Sequence, residues 1–193
     1  MRVLRPVCAV AFLALTAGPA LAQDRYATLD VRGGYTKPSG TAGDVLHGQS
    51  SFGAGATIQL GSRIHLGVTA DWAHHSEEPV IGGPNDRQWN VLHSFVKLVF
   101  DVVQSEKVTV ALNAGPGLMV FSPNQVLKDA VGYRSSAHFA ANVGGTATWW
   151  FAPRIGLMGS VQADFAMKKS SADIFADDTA LMLPLTGGFR FKI

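Results

Sequence analysis

The chain has 193 residues, with 16 Lys+Arg against 14 Asp+Glu and a formal net charge of +2. Only 16% of its residues are charged, well below the roughly 25% usual in globular domains. This balance supplies no basic face for nucleic acid, and one cysteine excludes a small scaffold stapled by disulfides.

Residues 1–22 read as a secretory signal peptide: Arg2 and Arg5 make the start positive, Val7 to Leu15 is apolar, and Ala20-Leu21-Ala22 is a small-x-small cleavage site. Cys8 stands near the start of the apolar run and not at its end, so no lipid anchor is implied. The run is shorter than the roughly 20 residues that span a bilayer as a helix. Cleavage before Gln23 removes Arg2 and Arg5, leaving 14 bases against 14 acids and no cysteine. The mature segment 23–193 suits one domain.

Eight segments then alternate with the period of two that marks strands. The first, 26–35, sets Ala27, Leu29, Val31 and Tyr35 on one face, and 52–60 sets Phe52, Ala54, Ala56, Ile58 and Leu60. The third reads "IHLGVTADW" from Ile64, with Leu66, Val68, Ala70 and Trp72 opposite His65, Gly67, Thr69 and Asp71. Segments 91–102, 108–120, 139–151, 155–167 and 181–193 follow. Their connections alternate: tight turns at 61–63, 104–107 and 152–154, and long polar stretches at 36–51, 73–90, 121–138 and 168–180. Sorting all long loops to one end excludes Greek-key crossings and predicts an up-and-down barrel. Proline removes a ladder donor, so Pro116 and Pro184 predict bulges or strand ends.

Three features turn the apolar face toward lipid. Aromatic residues cluster at the strand ends: Tyr35, Phe52, Trp72, Phe139 and Phe165 near the long loops, and Phe100, Trp149, Phe151, Phe189 and Phe191 near the tight turns. Two such girdles mark two membrane interfaces. The opposite face is small, with Gly53, Gly55, Gly115, Gly117 and Gly144, as the interior of a narrow eight-stranded barrel requires. Ten residues at about 3.3 Å, tilted near 40°, rise about 25 Å, the height of the apolar band. The expected fold is all-β, an eight-stranded antiparallel up-and-down transmembrane β-barrel.

The signal peptide, the alternating connections and the closing strand "LMLPLTGGFRFKI" together resemble the small eight-stranded outer-membrane barrels of Gram-negative bacteria, the OmpA/OmpX-like group. The resemblance implies residence in the outer membrane with periplasmic termini, contact with lipid and lipopolysaccharide, and a last strand read by the barrel assembly machinery. Phe189 and Phe191 fit that strand, but the chain ends in Ile193 where the group ends in an aromatic. A monomer is expected.

Interior charges are expected at Asp30, Arg32, His65, Asp71, Lys97, Asp101, Asp164, Arg190 and Lys192. Histidine aside, four acids face four bases, which predicts a lumen plugged by ion pairs, with Asp30 near Arg190 and Asp71 reaching Lys97. A narrow pore is the alternative. His74-His75-Ser76 followed by Pro84-Asn85-Asp86 faintly resembles the lipid A deacylase barrels, whose His-x-Ser supplies a base and a nucleophile on one face. Glu77 replaces that family's Asn, Gln88-Trp89 replaces its orienting Glu, and the motif lies in the second hairpin and not the last. No catalytic residue is expected. His47, His74, His75 and His138 have no zinc spacing, so no metal or cofactor is expected. Lys168-Lys169 suit lipopolysaccharide phosphates. The expected role is structural or surface-interacting, presented on four mobile loops; a solute channel, a lipid-modifying enzyme and a soluble lipocalin-like binder are the competing readings.

Overall fold

The period-two pattern becomes a closed antiparallel sheet in the computed structural model, which describes residues 26–77, 87–167 and 179–193. In chain order the elements are β1 (Ala27–Ser39), α1 (Thr41–Val45), β2 (Leu46–His47), β3 (Gln49–Gln59), β4 (Ile64–Glu77), β5 (Gln88–Gln104), β6 (Val108–Pro123), α2 (Gln125–Val131), β7 (Ser136–Ala152), β8 (Ile155–Ala166) and β9 (Ala180–Lys192). The eight long strands pair with their neighbours, and β1 pairs with β9 to close the ring, Asp30 opposite Arg190. β2 adds only two residues, alongside the end of β4. Closure leaves no strand edge, so the ladder groups find their partners within the protein except where a proline interrupts a ladder.

Leu66, Leu98 and Val161 point outward at 38%, 57% and 62% exposure, while Asp30, Lys97 and Asp164 are 2%, 5% and 3% exposed. Leaving a large aliphatic side chain in water forgoes about 1.5–3 kcal/mol. A whole apolar exterior is therefore stable only against hydrocarbon, and the protein is an integral membrane barrel. All ten girdle residues lie on the outward face, with Trp72 half-buried and the others exposed. No described helix is long and apolar enough to cross a membrane; strands do the crossing.

The prolines behave differently from expectation. Pro184 pairs with Thr36 on β1, while the β8 ladder lapses between Val161↔Leu185 and Asp164↔Met182 without changing register. Pro116 likewise pairs with Ala141 on β7, and the β5 ladder skips from Phe95↔Gly117 to Leu98↔Ala114 in register. A missing N–H breaks one side of a strand only, so each proline interrupts one ladder and no bulge is needed. The register shifts fall at Asp101/Val103 and Trp150/Ala152, near the tight turns.

The strands also run further outward than the sequence suggests, which shortens the long connections. β4 continues to Glu77 and β6 to Pro123, and Arg87 doubly hydrogen-bonds Glu77 at 2.8 and 3.0 Å. Two connections carry a short helix, and Leu46 and Leu127 in them are buried. α2 starts where the Asn124 side chain accepts from the Leu127 N–H at 3.1 Å, and it ends at Gly132, whose φ of 77° suits glycine. This turn drives Leu127 to full burial.

Candidate functional site

The inward faces of the strands meet in a polar network, and glycines give it room. Arg32 on β1, Gly53 on β3 and Asp71 on β4 form one row across three strands. With no side chain at Gly53, Arg32 reaches over β3 and donates from Nε and Nη2 to Asp71 at 2.7 and 2.6 Å. A Cβ at Gly53 would overlap Asp71 Oδ1. The third donor of Arg32, Nη1, meets Asp30 Oδ1 at 2.7 Å, and Arg190 Nη2 approaches the other Asp30 oxygen at 3.5 Å. Asp30 therefore lies near Arg190, but Asp71 does not reach Lys97. The partner of Asp71 in register on β5 is His93, and Lys97 lies four residues, about 13 Å, further along that strand.

Lys97 instead crosses the lumen to Gln162 Oε1 at 3.4 Å. His93 also crosses, donating from Nδ1 to Asp164 at 2.7 Å, and Asn142 hydrogen-bonds the second Asp164 oxygen. At the tight-turn end His65 donates to Asp101 at 2.9 Å, and Lys192 sits over the Trp150 and Tyr26 rings at 4.1 and 5.5 Å. All nine expected lumen residues thus point inward. The sequence reading missed His93, Gln162 and Trp150. His93 shares the strand parity of Lys97 and Asp101, a signal obscured by the apolar residues on both faces of β5.

Toward the long loops the interior changes character. Leu46, Trp89, Val91, Phe95, Met119, Phe121, Leu127 and Met182 form a buried apolar cluster inside the barrel mouth. Tyr133 packs on Trp89 at 5.4 Å, and His138 meets the Phe121 ring edge-on at 5.3 Å. Phe121 belongs to β6 and not to a loop, and the interior is not uniformly polar as the alternation suggested. Above this cluster the outward face turns polar at His74 and Ser76, beyond the apolar band. His75, there, is fully buried and donates from Nδ1 to the His47 carbonyl at 3.0 Å. Burial chiefly, then the charges of His93 and His74, push its pKa down to about 4, against the raising effect of that carbonyl.

Around Asp30, Arg32, Lys97 and Arg190 the network leaves a cavity of about 30 Å³ open to the centres of water molecules. At roughly 10–15 Å³ each, that is room for about two. The His74-His75-Ser76 motif is not assembled as base and nucleophile: His74 pairs with Asn90 at 2.9 Å, Ser76 accepts from Gln49 at 2.7 Å, and His75 faces the opposite way. Pro84-Asn85-Asp86, Lys168-Lys169 and the signal segment lie outside the described residues. Among the described residues, no three His, Cys, Asp or Glu side chains converge into a metal-binding group.

No family model and no curated protein matches the chain. Solved structures do. Neisserial surface protein A aligns at a TM-score of 0.56 and 13% identity, covering 89% of this chain and 98% of the other. The outer membrane protein OprG of Pseudomonas aeruginosa gives 0.56 and 12%, covering 86% and 95%. A major outer membrane protein of Thermus thermophilus gives 0.58 and 10%, covering 89% and 100%. At these identities the likeness establishes a shared fold, the small eight-stranded barrel seen in outer-membrane proteins.

Proposed function

We propose that the protein is an exported, monomeric outer-membrane barrel with a non-conducting lumen and a structural or surface-contact role. One observation carries this reading: the exterior is apolar while the interior is cross-braced by Arg32–Asp71, His93–Asp164 and Lys97–Gln162, with space for about two waters. The apolar cluster under α2 closes the outer mouth as well. A lipocalin-like binder needs its apolar face inside, and the exposure of Leu98 and Val161 opposes that. A channel would need the cross-lumen bonds to part.

The signal peptide delivers the chain to the periplasm, where both barrel termini would lie. The assembly machinery reads the last strand through Phe189 and Phe191, and Lys168-Lys169 contact lipopolysaccharide phosphates at the outer rim. Fractionation tests the placement: the protein is expected in outer membranes, with gel migration that changes on heating. Recovery in the soluble periplasmic extract would sink it. In planar bilayers the purified barrel is expected to stay electrically silent. Unitary currents that change on substitution of Lys97 or Arg190 would replace the plug with a pore. Hydrolysis of lipid A that disappears in Ser76→Ala would establish the enzyme instead.

A further inference from the structure

We propose that the lumen binds a small monovalent inorganic anion, of the halide class, in the cavity between Lys97 and Arg190. Three cationic side chains line that cavity, Arg32, Lys97 and Arg190, against one carboxylate, Asp30. The acids nearby are committed elsewhere. Both Asp71 oxygens are held by Arg32, both Asp164 oxygens by His93 and Asn142, and the two Asp30 oxygens by Arg32 and Arg190. Lys97 is left with one long hydrogen bond to a neutral amide and the Phe95 ring at 5.4 Å, although only 5% of it is exposed. A buried ammonium with no carboxylate in hydrogen-bonding contact is costly, and an anion beside it offsets that cost.

The unpartnered groups around the cavity are independent evidence for a ligand. Arg190 Nε, Thr69 Oγ1 and Asn113 Oδ1 are buried without a hydrogen-bond partner, and all three residues line this space. Asn113 is 7% exposed and its side chain makes no hydrogen bond among the described residues. The amide presents either its oxygen or its NH₂, since the two ends exchange by a flip. Arg190 Nε–H, the Thr69 hydroxyl, the Asn113 amide and the Lys97 ammonium are all donors on residues that line this one cavity. A cation is repelled there by the three cationic side chains, and the volume excludes sugars and phosphate esters.

The test uses bromide, because it scatters anomalously. Crystals of the full barrel grown in sodium bromide are expected to show an anomalous peak within hydrogen-bonding reach of Lys97 Nζ and Arg190 Nε. Water density alone in the cavity, or bromide only on the surface, would overturn the proposal. In lipid vesicles, replacing sodium gluconate by sodium bromide at equal ionic strength should lower the unfolding constant about tenfold when bromide is ten times its Kd. Lys97→Met should remove that anion dependence whatever its own stability. A folded Lys97→Met barrel as bromide-sensitive as the parent would also overturn the assignment. If Lys97→Met does not fold, the anomalous peak in the parent protein decides.

Discussion

Replacing Arg32 tests the central claim that ion pairs brace the lumen. Arg32→Met strips Asp71 of both its hydrogen bonds at 2.7 and 2.6 Å, and leaves Asp30 with only the 3.5 Å approach of Arg190. Removing one member of a buried pair typically costs about 3–5 kcal/mol, because the remaining charge stays buried. The Asp71 side chain is 16% exposed, so water reaches it and the low end applies, about 3 kcal/mol. That is a factor of more than a hundred in the unfolding constant. With a urea slope near 2 kcal/mol/M the midpoint should fall by about 1.5 M. Asp71→Leu should cost less, since Arg32 keeps Asp30 at 2.7 Å. The double variant, Arg32→Met with Asp71→Leu, should be clearly more stable than the sum of the single losses predicts, because Asp71 is then not stranded, while Asp30 still lacks its 2.7 Å bond to Arg32. Urea titration in lipid vesicles, read by heat-modifiable gel migration, measures all three. A loss below about 1 kcal/mol for Arg32→Met, or a double variant as weak as the sum of the singles, would refute the reasoning.

Three further substitutions address other parts of the structure. Leu98→Arg on the outward face should cost about 2–4 kcal/mol of folding stability in vesicles, the value for a cation at mid-bilayer; a neutral result would mean that this face meets water. Gly53→Ala drives a methyl into Asp71 Oδ1 and to 2.6 Å from the Ala70 carbonyl, so about 1–3 kcal/mol should be lost in the same titration, and an unchanged midpoint would contradict the Arg32–Gly53–Asp71 row. His75 has a folded-state pKa near 4 against 6.5 when opened, so the opened state binds the proton more tightly. Its contribution is complete above pH 6.5 and drains away as pH falls toward 4. Protection of the Leu46 and His47 amides, taken relative to the intrinsic exchange rate at each pH, should fall over that window and stay level in His75→Gln; an equal fall in both proteins would rule out His75 as the cause.

Much of the architecture could be read along each strand in isolation. Alternation is local, so Leu66, Leu98 and Val161 declared one face and Asp30, Lys97 and Asp164 the other before any contact was known. Closure by an up-and-down path followed from alternating turn lengths, and it set Asp30 opposite Arg190, because the first strand of a closed barrel must meet the last. The tertiary structure decided who meets whom across the lumen. Arg32 takes Asp71 because Gly53 lies between them in register, a coincidence of three strands that no single stretch reveals. His93 finds Asp164, and Lys97 finds Gln162, across the barrel, where distance depends on diameter and stagger. The apolar mouth was equally hidden: Trp89, Val91 and Phe95 lie on a strand that is apolar on both faces, and only the folding of Leu46 and Leu127 over them distinguishes a capped interior from a lipid-facing surface. Periodicity assigns a side to each residue, whereas register and curvature assign its partner.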